Sequence, residues 1–315
     1  MLLTKRQVGN TGIWVTPIGL GGAWLGRTAG GFEDGLAIAT VHHSLKQGIN
    51  LIDTSPLYGE SERRIGIALK DWFARGGKRD EIVLSSKTGT RTRPYEYTAS
   101  ATRRSVEESL RLLNVEYLDI CHIHDPSDLT PVLAPNGALN ELKKLKGEGL
   151  IRAIGLGVRD HSFHRRMKDT GDLEVSLTYR DYNLLYQSAL EGVILPASQK
   201  GLGVFNATVV IGGLLADPRT HQVSTTSPLA VTYTPLAGEV ERAKELGEFA
   251  RSHGISLLAL NLQFCLRQPH ITSTLLGVAT PEELDTDMRA LDEEINPDCW
   301  AGLSSRFGIS CSQGL

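Results

Sequence analysis

The chain has 315 residues, enough for one large domain or two average ones, and 33 lysines and arginines against 36 aspartates and glutamates leave a net charge of −3, which offers no basic face to nucleic acid. Apolar residues make up 41% and charged residues 22%, a globular composition, and no apolar run nears the ~18 residues of a membrane span. The opening MLLTKRQVGN turns charged at Lys5 and does not read as a secretory signal, while Cys121, Cys265, Cys299 and Cys311 stand far apart with no Cys-x-x-Cys pair, which argues against a disulfide scaffold or a cysteine-rich zinc site and suits a reducing, cytoplasmic setting.

The first element is a hairpin: Gly9-Asn10-Thr11-Gly12 is a turn flanked by Val8 and by Ile13 and Val15. A short apolar strand follows at 18–22. Ile38, Val41 and Leu45 then share one helical face before a strand at 49–52. Ile65, Leu69 and Trp72 mark the next helix and 82–84 the next strand. Val106, Leu110 and Leu113 precede a strand at 117–123. The alternation continues with a helix at 139–145, a strand at 151–158, a weaker helix at 162–169 and a strand at 174–179. Residues 187–199 read as helical and 202–205 as a strand. A Pro- and Thr-rich stretch near 217–237 leads to helices at 238–253 and 256–267, a strand at 272–276 and a last helix after Pro281. Eight strand-like runs, each with a helix behind it, predict an α/β chain folded as one (β/α)8 TIM barrel over residues 1–315, with the hairpin closing its bottom. A doubly wound open sheet is the rival, but it usually has fewer strands.

In such a barrel the chemistry lies at the C-terminal ends of the strands. There the sequence places Asp53, Lys87 and His124, at intervals of 34 and 37 residues, about one βα unit each. The spacing predicts three ionisable groups at one height of one pocket, and Tyr58 lies in the turn just beyond Asp53. A phenol ionises near 10 and is a poor proton donor or acceptor at neutral pH. A neighbouring ammonium stabilises the phenolate, which assigns Lys87 to Tyr58 and leaves Asp53 to hold Lys87. His124 offers a ring N–H to a substrate oxygen, so the set can polarise a carbonyl and move one proton. Taken singly, each residue reads more simply as a loop ion pair, a rim aromatic or a core histidine; four in register do not. No side chain supplies a hydride, and a nicotinamide cofactor would complete the set.

The stretch Asn50-Leu51-Ile52-Asp53-Thr54-Ser55-Pro56-Leu57-Tyr58-Gly59, followed by Ser61-Glu62, resembles the first signature of the aldo-keto reductases. Lys87 after a β-rich run, Leu118-Asp119-Ile120 leading to His124, and Ile151 to Leu156 resemble the family's next landmarks. The resemblance implies a (β/α)8 barrel and an NAD(P)-linked carbonyl/alcohol oxidoreductase in which Tyr58 is the general acid or base. It also implies cofactor contacts from Gly22, Asp53, Asn206, Gly212, Gly213 and Leu214, the last three in a loop running on to Pro235.

Departures from the family pattern sharpen the reading. Gly157-Val158 and Tyr179 stand where the family usually holds the nicotinamide amide with Ser-Asn and Gln, which makes Tyr179 or nearby backbone the replacement. Gly277 and Glu283 stand where a Lys and an Arg usually grip the 2′-phosphate of NADP. A carboxylate repels that phosphate and suits a ribose hydroxyl, so Glu283, with Asp287 one turn on, favours NAD; Glu283 as a plain first-turn helix residue is the simpler alternative. The runs Asn183-Leu184-Leu185, 201–206 and 212–216 are similar to the aldose 1-dehydrogenase branch, whose members act on L-galactose, L-fucose, D-threo-aldoses or pyridoxal and take a hemiacetal carbon to a lactone with NAD.

Three other features compete. Gly19 to Gly26 superficially matches a dinucleotide glycine fingerprint, but the spacing is wrong, and Trp24 there reads as a wall of the substrate pocket. His122 and His124 point to the same side of a strand, as in barrel metal hydrolases, but later strand ends offer Arg159, Asp181 and Asn206 and no histidine, so no metal site is expected. Some members of the family are non-catalytic redox-sensing subunits of channels; the intact catalytic set speaks against that. The expectation is an NAD-preferring enzyme that oxidises a sugar-like hemiacetal or alcohol, with Trp24, Tyr58, His124 and Asp125 at the substrate. The alternative is an NADPH-dependent reductase of small aldehydes or ketones. The sequence leaves the particular sugar and the oligomeric state open.

Overall fold

The computed structural model describes residues 4–27, 33–219 and 235–310. Cys311 and positions 220–234 of the Pro- and Thr-rich stretch lie outside the described residues.

A two-stranded hairpin, β1 (Arg6–Gln7) and β2 (Trp14–Val15), comes first, with Gln7 opposite Trp14. Eight parallel strands follow: β3 (Ile18–Gly21), β4 (Leu51–Asp53), β5 (Val83–Thr88), β6 (Leu118–His124), β7 (Ile151–Gly157), β8 (Val175–Tyr179), β9 (Gly203–Ala207) and β10 (Ser273–Leu276). They close into a barrel, with β10 pairing to β9 on one side and to β3 on the other. The helices surround it: α1 (Asp34–Lys46), α2 (Ser61–Ala74), α3 (Ala99–Leu113), α4 (Thr130–Leu133), α5 (Ala138–Gly147), α6 (His161–Lys168), α7 (Leu195–Ser198), α8 (Ala237–Ser252), α9 (Leu257–Leu266), α10 (Pro281–Asp292) and α11 (Pro297–Phe307).

Alternation along each strand sorts the side chains. Leu51, Val83, Ile120, Val175, Phe205 and Leu275 fill the barrel, and Val8, Ile13 and Val15 of the hairpin pack beneath them in the same cluster. The hairpin therefore plugs the N-terminal end. Its turn fits against the start of β9: Gly9 has φ +49°, and a Cβ there would lie 2.3 Å from the Gly201 carbonyl. Leu20, Ile52, Leu84, Cys121 and Ile154 point outward and form a second core with the helices.

Three local differences from the sequence reading have physical causes. β5 continues through the polar residues Ser85, Ser86 and Lys87, because these are fully enclosed and hydrogen-bonded. The segment 187–199 divides into a π turn (Leu190–Ile194) and the single turn α7, where Pro196 has no N–H to continue the ladder. The short α4 and the C-terminal α11 are additional. The second is opened by Asn296, whose side chain accepts from the Asp298 N–H.

Candidate active site

The ladder sets the relative heights of the expected residues. Asp53 pairs with Ser85, and Lys87 pairs with His122. Each move to the next strand thus climbs two residues from Asp53 to Lys87 to His124. Even steps keep all three side chains on the inner face, and the climb broadly follows the stagger of a closed barrel. The three groups meet because Lys87 reaches back: its Nζ donates to Asp53 Oδ2 at 2.5 Å and to the Thr54 carbonyl at 2.8 Å. Ser85 Oγ donates to the other Asp53 oxygen at 2.7 Å. Both charged partners are enclosed, at 1% and 5% exposure, so the pair is held by geometry rather than by solvent.

Tyr58 arrives from the turn after β4 and covers this pair, with the Lys87 Nζ 5.0 Å from its ring centre. A cation there stabilises negative charge on the phenolic oxygen. The His124 ring meets Tyr58 edge-on at 5.9 Å and 89°. Burial first, then the charge of Lys87 and the neighbouring His122, hold the His124 imidazole well below its ordinary value, so it is neutral. Its Nδ1 lies 3.1 Å from Ser55 Oγ and 3.0 Å from Thr90 Oγ1, and Tyr97 donates to its carbonyl at 2.7 Å. Asp125 follows at φ +42°, accepts a hydrogen bond from the Tyr179 hydroxyl at 3.0 Å and lies 3.5 Å from His124 Nε2. Burial raises the Asp125 carboxyl above the usual range, and burial with that carboxylate raises the Tyr179 phenol.

A cavity of about 550 Å³ opens from Asp53 and Tyr58, a volume suited to an extended small molecule. It passes Gly22 and Trp24, runs along 207–213 after β9, and ends at Gly277, Glu282, Glu283 and Asp287 around the start of α10. Trp24 lies against Gly277, where a Cβ would come within 3.0 Å of the indole, and the Arg27 guanidinium stands 5.5 Å from the Trp24 ring centre. Gly212 and Gly213 take φ values of +61° and +98°, a conformation that brings bare backbone to the cavity wall. Glu283 serves two purposes. Its Oε2 accepts from the Ala279 N–H at 2.6 Å and its own N–H donates to Thr280 Oγ1 at 3.2 Å, so it closes the helix end as well as lining the cavity. The Asp287 carboxyl is pushed up to about 7, by burial and then by Glu283.

Three expected cofactor contacts stand apart from the lining. Asn206 faces outward from β9, with its Nδ2 on the Tyr182 carbonyl at 2.9 Å. Leu214 is fully buried among the outer apolar residues. Tyr179 is tied to Asp125 at the other side of the barrel mouth. In each case the side chain is engaged elsewhere. Among the described residues no group of three His, Cys, Asp or Glu is placed to hold a metal. His122 stacks edge-on to Phe205 instead, its ring filling the space left by Gly155, where a Cβ would lie 2.1 Å from Nδ1. Sequence reasoning missed Ser85, Thr90, Tyr97 and Arg27. Ser85 was visible in the run before Lys87; nothing local marks Thr90, which reaches His124 only through folding of the loop after β5.

The profile described as the aldo/keto reductase family matches residues 17–305. The chain belongs to that family of oxidoreductases, which use NAD(P)(H). It is 30% identical over 298 residues to an L-galactose dehydrogenase of Arabidopsis thaliana, covering 91% of this chain and 88% of the relative. It is 27% identical over 331 residues to a D-threo-aldose 1-dehydrogenase of a Pseudomonas species, covering 96% and 98%. Among solved structures, an aldo-keto reductase of Bacillus halodurans in its holo form superposes with a TM-score of 0.80 at 21% identity, over 99% of each chain. Among the described residues no helix is long and apolar enough to cross a membrane.

Proposed function

We propose that this protein is a single-domain, cytoplasmic dehydrogenase that oxidises an aldose or sugar-like hemiacetal at C1 to the lactone, with NAD preferred over NADP. The observation that carries the reading is the meeting of Lys87 and His124 with Asp53 and Tyr58, the last two of which line one end of a cavity whose other end is acidic. When bound, the nicotinamide supplies the hydride acceptor for the substrate carbon. The chain's own residues handle the oxygen and the proton. Tyr58, as phenolate, takes the hydroxyl proton as the C1–H bond breaks and the carbonyl forms; in reduction it returns that proton. Lys87 holds the charge on Tyr58 and Asp53 holds Lys87. His124 donates to the reacting oxygen. Asp125, backed by Tyr179, accepts from a neighbouring sugar hydroxyl, and Trp24 walls the cavity.

The residues present fit a dinucleotide. Gly22, Gly212 and Gly213 give close backbone approach, and Arg27 is the one cation among the described lining residues, suited to a pyrophosphate. Glu282, Glu283 and Asp287 surround the far end, where a 2′-phosphate would meet like charge. The aldose dehydrogenases among the relatives support the substrate class. Steady-state rates on a panel of aldoses with NAD and with NADP test the reading. Higher kcat/KM with NAD on at least one aldose is expected; efficient NADPH-dependent reduction of small aldehydes without aldose oxidation would overturn it.

A further inference from the structure

The two hydroxyls that converge on His124 Nδ1 have a consequence for which ring nitrogen carries the proton. Ser55 Oγ accepts the Leu57 N–H at 3.1 Å, which occupies one side of the oxygen and turns its hydrogen elsewhere. Among the described residues neither Ser55 nor Thr90 has another hydrogen-bonded acceptor, and both lie in buried surroundings, at 0% and 3% exposure. If Nδ1 carried the proton, both hydroxyl hydrogens would be buried with nothing to accept them, which is costly. If Nδ1 is bare, its single lone pair accepts from one hydroxyl or is shared between the two, and the proton resides on Nε2.

We propose that Ser55 and Thr90 are positioning residues that lock neutral His124 in the Nε2–H form, so that its one N–H is aimed at the substrate oxygen. The backbone around both hydroxyls is pinned. Ser55 follows Thr54, whose carbonyl accepts from Lys87. Thr90 precedes Arg91, which donates to buried Glu62 at 2.9 Å and to Ser109 Oγ at 2.7 Å, while Ser86 donates to the other Glu62 oxygen at 2.8 Å. Between them, Gly89 takes φ +97° and leaves room for Tyr97, which fixes the His124 carbonyl. Nε2 is 3.5 Å from Asp125 Oδ2, so its hydrogen remains available to a ligand. The neutral ring makes the tautomer matter: the opposite form would present a lone pair to the substrate oxygen, and repel it.

The inference rests on the proposed role of His124, and the test separates the two. Long-range ¹⁵N–¹H NMR of histidine-labelled wild-type protein reports which His124 nitrogen is protonated. A bare Nδ1 is expected; a protonated Nδ1 would overturn the lock, whatever the activity. The double variant S55A/T90V is expected to mix the two forms and to lower kcat by about 10- to 100-fold, the range of one or two lost polar contacts at a reacting oxygen, with the dissociation constant for NADH unchanged. T90S, which keeps the hydroxyl, should retain most of the wild-type kcat. An unchanged tautomer with unchanged turnover in S55A/T90V would refute the lock. A bare wild-type Nδ1 together with normal turnover in H124A would instead refute the role of His124, and the function reading with it.

Discussion

Tyr58 is the residue on which the proposed chemistry turns, since its ring lies beside both the cation of Lys87 and the ring of His124. Tyr58→Phe should lower turnover by about 10²–10⁴-fold, the usual contribution of a general acid–base group. NADH binding, followed by fluorescence titration, should remain within a few-fold of wild type. Asp287 makes a second prediction at this scale. Its carboxyl ionises near 7 in the folded chain and near 3.9 when unfolded, so the native state holds the extra proton between those values. Its favourable contribution is complete below about pH 4 and is lost as the pH rises through 7. D287N, which is always neutral, should therefore melt higher than wild type at pH 8, with the gap closing towards pH 4; a gap independent of pH would contradict this. The proposed catalytic residues Asp53, Lys87 and His124 were legible in the sequence because strand ends expose polar side chains after apolar runs. Thr90 was not, since the loop that carries it is shaped by Arg91 and Glu62, which are 29 residues apart. Asn206 shows the converse limit: the right segment was read, but which side chain turns inward depends on the strand's phase.

The start of α10 is the element on which the proposed cofactor preference and local stability meet. Thr280 caps the Glu283 N–H, and Glu283 returns its carboxylate to Ala279. Glu283→Ala should destabilise the protein by about 0.5–2 kcal/mol, as loss of a cap bond does. It should also narrow the preference for NAD over NADP, measured as the ratio of kcat/KM values. Stability loss without any change in that ratio would mean the side chain serves the helix alone. Elements with strong apolar periodicity, such as α3 with Val106, Leu110 and Leu113, were readable because one face is fully buried. The π turn at Leu190–Ile194 was not, because Pro196 interrupts a pattern that otherwise reads as one helix. β5 was read too short for a different reason: its last residues are polar yet enclosed, as partners of Asp53 and Glu62.

For the molecule as a whole, the hairpin floor and the barrel mouth are separable. Ile13 is 2% exposed and packs at the N-terminal end of the barrel, remote from the strand ends that carry Asp53 and His124. Ile13→Ala should lose about 2–5 kcal/mol of stability, the range for truncating a buried aliphatic residue, while KM for cofactor and substrate stays unchanged. The barrel itself was legible from eight repeats of strand and helix, because parallel strands need a crossover between each pair. In the proposed reaction Tyr58, packed against Lys87 and His124, moves the proton while NAD takes the hydride from an aldose. The most direct measurement is NADH formation from a panel of aldoses by wild type and by Tyr58→Phe at equal cofactor occupancy. Aldose-dependent NADH is expected with the wild type and a loss of about 10²–10⁴-fold with the variant; no aldose oxidation by the wild type, or equal rates for the two proteins, would overturn the proposed reaction.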